Sequence, residues 1–367
     1  MLTSRFTEQG PIVVAITPSK DRHAFLERQL DAFWKPYQEF RKTHPEAPAL
    51  KWIIVDETSE ASELFSSMDN PDITYINMRD RKHLGSVPHQ FRDTCRECLF
   101  SETDIKKRVE HLATNSLSDR FIVAHDLWIP SIGEMRNVGI LIAHKLYGHA
   151  DKNAVIMAKD DDDFSSPEIV PAVYDLLQDG HDFVKLGNMF VHDAIGGNWY
   201  HYAYSKQDQE THVLENGHKS VIPRYVVWDD KAQTKENKYK HAGIYGLAFN
   251  YRMDAAVEIG EKFRSEFGKF GPFRPLSRRE DVQFFMDMVE QRGEHRIRIA
   301  DNPMHSLVRI VHNNTTRTMH NGAVDLNDVP LATQNLVGIL CDREPTTRDR
   351  LVGQTFSLPV LDLSKAF

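Results

Sequence analysis

Lys159 is followed by four aspartates, Asp160, Asp161, Asp162 and Asp163, directly after the apolar run Ala154 to Met157. Side chains alternate along an extended segment, so Asp160 and Asp162 are expected on one face and Asp161 and Asp163 on the other. Two carboxylates on one side call for a cation, because adjacent like charges repel unless something neutralises them. Hard oxygen ligands select Mg2+ or Mn2+, ions that keep open positions for substrate phosphates. The plainer reading is a solvated acidic turn.

A second group is Ser277-Arg278-Arg279-Glu280-Asp281, ahead of Val282, Phe285, Met286 and Val289 at helical spacing. Ser277 and Glu280 have the spacing of a capping box, in which serine caps the helix and glutamate bonds back. That leaves Asp281 in the first turn, where the helix dipole favours the anion and an unprotonated general base can sit. Asp56-Glu57 ends another apolar run and can accept hydrogen bonds from a nucleobase. Arg136, at the start of a helical stretch, can contact base or phosphate, or stand as an exposed helix-start arginine. Cys95-x-x-Cys98 with His83, His89 and His111 nearby could bind zinc, but a zinc site wants four ligands and no second cysteine pair exists. Arg79-Arg81-Lys82 and Lys106-Lys107-Arg108 suit an anionic acceptor or, with acids interspersed, a solvated face.

The elements that must position these residues alternate between short apolar runs and amphipathic stretches, the order of a mostly parallel sheet wrapped by helices. Strands are expected at Ile12 to Ile16, Trp52 to Val55, Ile73 to Ile76, Ala154 to Met157, Phe183 to Leu186 and Gly246 to Tyr251. Leu26, Leu30, Phe33, Trp34 and Tyr37 mark a helical face, with Pro36 expected to kink or end that helix. Val138, Leu141, Ile142 and Leu146 mark another. Ser166 with Pro167 reads as a helix start just past the aspartates. That places the aspartates at the C-terminal end of a strand, where open α/β sheets hold their ligands. Residues 79–130 are less regular and read as an insertion, and 323–367 as a C-terminal appendage to a domain spanning 1–322.

Composition narrows the classes. The chain has 367 residues, enough for two average domains or one large α/β domain with an appendage. A formal charge of −8 disfavours broad adhesion to nucleic acid or anionic lipid. Three cysteines do not make a disulfide scaffold. No run approaches the ~18 apolar residues of a membrane span, and Glu8 soon after Arg5 interrupts any signal-peptide core, so the expected compartment is the cytoplasm. There is no Walker phosphate loop, no Gly-x-Gly-x-x-Gly after the first strand, no His-Glu-x-x-His helix and no nucleophile elbow.

Five landmarks occur in a telling order: Ile16-Thr17-Pro18-Ser19-Lys20, Ile54-Val55-Asp56-Glu57-Thr58-Ser59, Arg136-Asn137-x-Gly139-Ile140, Met157-Ala158-Lys159 with the four aspartates, and Arg279-Glu280-Asp281-Val282-x-Phe284-Phe285. In that order they resemble the nucleotide-sugar glycosyltransferases of the GT-A fold, family two in particular. Trp128-Ile129-Pro130 before Arg136, and Gly246-x-Ala248-Phe249-Asn250 later, are also similar to the animal glucuronyltransferase pattern. The resemblance covers roughly residues 11–317. It implies an α/β, GT-A-like, mixed and mostly parallel sheet with flanking helices. It also implies a donor site of Thr17, Pro18, Asp56, Glu57, Arg136, Asp160 and Asp161, with Asp160 on the ribose. Asp162 would ligate Mn2+ or Mg2+, and His312 would reach the metal or diphosphate. The base would be Asp281, or Glu280 beside it. Glu57 departs from the family pattern, which usually has a second aspartate there.

The expected reaction is transfer of a sugar from a nucleoside diphosphate donor, uridine-based, to an acceptor hydroxyl with inversion. The acceptor could be a saccharide, a lipid-linked intermediate, a protein or a modified nucleic acid. A nucleotidyltransferase acting on a sugar phosphate is the alternative, although the Glu280-Asp281 helix start speaks against it. A relative that binds a nucleotide sugar without turnover would usually have lost a metal carboxylate or base, and both are present.

Overall fold

The computed structural model describes residues 10–20, 22–79, 84–101, 131–186, 189–193, 199–202, 212–213, 219–220, 249–273, 280–300 and 307–311. Strand β1 (Ile12–Ser19) leads into helix α1 (His23–Gln29), a π-helical turn (Leu30–Trp34) and α2 (Lys35–Thr43). Then come β2 (Ala49–Asp56), α3 (Glu63–Ser67), β3 (Ile73–Asn77), α4 (Arg92–Cys98), α5 (Ile132–Tyr147), β4 (Val155–Ala158), β5 (Asp163–Ser165), α6 (Ile169–Gln178) and β6 (Phe183–Leu186). The short strands β7 (Met189–Asp193), β8 (Trp199–Tyr202), β9 (His212–Val213) and β10 (Lys219–Ser220) precede β11 (Phe249–Arg252), α7 (Met253–Phe267), α8 (Glu280–Arg292), β12 (Ile297–Ala300) and β13 (Leu307–Val311).

Seven strands form the main sheet in the order β3-β2-β1-β4-β11-β6-β12, parallel throughout except for β11, which runs against both its neighbours. A four-stranded sheet, β5-β13-β7-β8, and the β9–β10 pair complete the strands described. Alternation along β1 explains the two layers. Ile12, Val14 and Ile16 face α5 and its neighbours, whereas Val13 and Ala15 face Leu26, Phe33 and Trp34, with Val170 and Val173 of α6. Each valine, leucine, isoleucine or phenylalanine among them, fully removed from water, contributes about 1.5–3 kcal/mol before entropy is counted.

Most expected strands and helices lie within the elements found. Pro36 does not end its helix. It would lose a hydrogen bond and clash with the carbonyl four residues back in a regular helix, and the π-helical turn just before it changes the register so that Pro36 falls in the first turn of α2. The helix after the aspartates starts later than Ser166 suggests: its cap is Glu168, without a side-chain cap bond, because residues 163–165 form β5. The described part of the expected insertion, residues 84–101, packs Leu84, Val87, Phe91, Cys95 and Cys98 into the core beneath α5. A true Ser-x-x-Glu capping box occurs at Ser131 and Glu134, starting α5. Glu134 also accepts a bond from Phe100 N at 3.0 Å, pinning that segment to the helix.

Candidate functional site

Strand order reverses at β1. The chain runs outward from it to β2 and β3 and returns to the other side at β4. In open α/β sheets such a switch point marks the crevice, beyond the carboxyl ends of the strands, where ligands bind. Ser19 pairs with Asp56 across the first boundary, and Lys159 N bonds Ile16 O at 3.0 Å across the second. The acidic segment therefore emerges at the crevice.

Its backbone is a turn, closed by Asp163 N to Asp160 O at 3.3 Å. Buried Gln29 donates through Nε2 to the carbonyls of Asp161 (3.0 Å) and Asp163 (2.6 Å). Lys159 is wholly buried, donates to Asp163 O at 2.6 Å and lies 4.5 Å above the Phe33 ring. Burial draws its pKa down and the aspartates draw it back up. The turn undoes the expected alternation. Asp160, Asp162 and Asp163 are the ones that converge, each offering an oxygen within 4.8 Å of the others. Asp161 instead turns toward β1, where Ser19 Oγ (2.8 Å) and Arg22 Nη1 (2.8 Å) bond it. Burial raises its pKa, and Arg22 opposes the rise. An all-carboxylate donor set suits Mg2+ or Mn2+.

The four like charges also have protein counterions: Arg136 on Asp160, Arg22 on Asp161 and Asp162, and Lys159 beneath Asp163. Arg22 and Gln29 are the participants that sequence motifs missed. The two lie seven residues apart along the first helical stretch, whose apolar face alone stood out in the sequence.

Arg136 is not an exposed helix-start arginine; it is 4% exposed. Its Nη2 donates to Asp160 Oδ1 at 2.8 Å, Nη1 lies 3.7 Å from Glu280 Oε1, and the guanidinium lies 5.3 Å above Phe273. Among the described residues, Nε and Nη1 have no hydrogen-bond partner. Asn137 clasps the Phe273 backbone, accepting from its N–H at 2.9 Å and donating to its carbonyl at 2.7 Å. Gly139 lets α5 lie directly on β1, since a Cβ there would sit 2.5 Å from Ile16 Cγ2. The Arg-Asn-x-Gly motif thus holds one functional candidate and two residues that aim it.

At the β2 end, Thr17 Oγ1 accepts from Trp52 Nε1 at 2.9 Å, and Pro18 is buried opposite Val55. Asp56 is fully buried. Its oxygens take bonds from Thr58 N (3.0 Å), Thr58 Oγ1 and Tyr75 OH, and it pairs with His23 Nε2 at 2.9 Å. As placed, this carboxylate orders the loop after β2. Glu57 forms an ion pair with Lys20 at 2.6 Å. His312, the late histidine, and Ser277, the expected helix cap, lie outside the described residues. Cys95 and Cys98 are free thiols buried in apolar core, with both pKa values pushed up by burial, Cys95 to about 12. Among the described residues they belong to no metal-binding group.

Glu280 is 5% exposed. Burial, then the Asp281 charge, pushes its pKa up to about 8, against the pull of Arg136. A carboxyl that keeps its proton in the native state but loses it when unfolded stabilises the fold fully below the unfolded pKa, near 4.5, and this contribution is lost as pH rises through about 8. Glu280→Gln is expected to gain stability relative to wild type between those limits and to level off above them. Urea unfolding from pH 4.5 to 9 measures this, and a pH-independent difference would disprove the assignment.

No protein-family model and no curated protein matches the chain. Fold and site define its class coarsely: an α/β protein with a mostly parallel mixed sheet, flanking helices and a carboxylate cluster at the switch point that could hold a metal ion. Among the described residues, no helix is long and apolar enough to cross a membrane.

Proposed function

We propose that the chain is a metal-dependent glycosyltransferase of the GT-A type, moving a sugar from a nucleoside diphosphate, uridine-based, to an acceptor hydroxyl with inversion. The observation that carries this reading is the convergence of Asp160, Asp162 and Asp163 at the switch point, with Arg136 joining Asp160 to the start of α8. Those carboxylates would hold Mn2+ or Mg2+, and a bound divalent ion supplies charge neutralisation for a departing diphosphate. Arg136, buried with Nε and Nη1 unbonded among the described residues, suits the donor's anionic group; leaving such donors unmade is costly. Asp281 is half-buried, next to Glu280, and takes the acceptor proton as the hydroxyl attacks. Glu280, protonated at neutral pH, stays a close neighbour of Arg136, 3.7 Å from its Nη1. Glu57, paired with Lys20, would be the acceptor for the base of the nucleotide, since Asp56 already takes bonds from Thr58 and Tyr75.

A thermal-shift panel of nucleoside diphosphates with and without Mn2+ tests the reading. Uridine diphosphate at 100 times its dissociation constant should add about 2.7 kcal/mol of stability when the metal is present, and markedly less when it is chelated. A panel in which no nucleotide gives a metal-dependent shift would rule out this function.

A further inference from the structure

Arg22 stands in two relationships at once. Its Nη1 bonds Asp161 Oδ1 at 2.8 Å and Asp162 Oδ2 at 3.1 Å. Asp161 is anchored independently by Ser19 Oγ and lies outside the converging carboxylates, whereas Asp162 lies within them. A single nitrogen serves both acids, so the guanidinium bridges the anchored carboxylate and a candidate metal ligand. The two aspartates are almost fully buried, whereas the Arg22 side chain is 21% exposed. Arg22 immediately precedes α1 and makes no side-chain cap bond to that helix, so helix capping does not account for its position.

We propose that Arg22 is the resident counter-cation of Asp162, that a divalent ion exchanges for it, and that the released guanidinium, still tethered to Asp161, collects the donor's diphosphate. The inference rests on the metal-dependent reading above and adds a residue that couples metal to donor. Cation and guanidinium compete for one carboxylate, so each weakens the other's hold. The anion that follows bonds the freed guanidinium and offsets the loss, a charge-assisted contact for which arginine is well suited. Metal and nucleotide then bind cooperatively, and by linkage each strengthens the other by the same factor.

The test is titration of Mn2+ with Arg22→Gln, Arg22→Lys and wild type, read by loss of the free-ion electron paramagnetic resonance signal, without and then with uridine diphosphate. Without nucleotide, Arg22→Gln should bind Mn2+ at least roughly fivefold more tightly than wild type, the lower end of usual coupling between ligands. Arg22→Lys, with a shorter reach and no planar fork, should fall between them. Uridine diphosphate should tighten Mn2+ binding more in wild type than in Arg22→Gln. The ranking holds for whichever variant folds. If wild type binds Mn2+ and the variants bind it equally or more weakly, Arg22 is a structural ion pair and the inference fails while the metal reading stands. If none of the three binds Mn2+, the metal reading itself is overturned and takes the inference with it.

Discussion

Asp281→Asn is expected to lower sugar transfer by ~10²–10⁴-fold at pH 7, the usual worth of a positioned general base, while leaving affinity for the nucleoside diphosphate and fold stability close to wild type. The adjacent Glu280→Gln should do much less. Glu280 is buried beside Arg136, with its pKa near 8, so most copies already carry a proton at neutral pH. Glutamine has the same shape and hydrogen-bonding reach as that protonated acid. A side chain that holds its proton at pH 7 cannot take another from an acceptor hydroxyl. Asp281 has the more open position of the two. Single-turnover rates for both variants, with donor affinity measured separately, distinguish lost chemistry from lost binding. The opposite ranking would make Glu280 the base. Full activity in both would remove this pair from the chemistry altogether.

What could be read in advance was whatever depends on local pattern. The continuous apolar run Ile12 to Ile16, the helical face of Val138 to Leu146 and the strand ahead of Asp160 reappear in β1, α5 and β4 because burial, on both faces in the case of β1, acts directly on that pattern. What could not be read depends on contacts between distant segments. Lys159 sits beside the aspartates in sequence, but that it is buried against Phe33 requires the first helix to be in place. Gln29 and Arg22 meet the acidic turn across more than 130 residues. Asp56 reads as an available acceptor until Tyr75, His23 and Thr58 converge on it. Arg136 reads either as a nucleotide contact or as an exposed arginine until its burial against Phe273 removes the second reading. Local pattern told where the polar residues would be, whereas tertiary pairing decided which of them were already engaged.

The acidic turn gives the sharpest separation between these two levels. Asp162→Asn keeps the side-chain shape but removes a charge from the converging carboxylates, so the Mn2+-dependent stabilisation by uridine diphosphate, about 2.7 kcal/mol in wild type at 100 times the dissociation constant, should fall close to zero. Stability without metal should change little, because Arg22 keeps its 2.8 Å bond to Asp161. Asp163→Asn should also weaken the metal-dependent shift strongly, since Asp163 belongs to the same group. Asp161→Asn should preserve most of that shift, because Asp161 turns toward Ser19 and Arg22 and lies outside the converging carboxylates. Simple alternation along an extended chain would instead place Asp161 and Asp163 together and make their variants equivalent. Three melting curves per variant, for free protein, protein with Mn2+, and protein with Mn2+ and nucleotide, decide between them. An Asp162→Asn protein with an undiminished metal-dependent shift would exclude this carboxylate as a ligand. Equal behaviour of Asp161→Asn and Asp163→Asn would mean that the turn closed by Asp163 N and Asp160 O does not set which acids meet the ion.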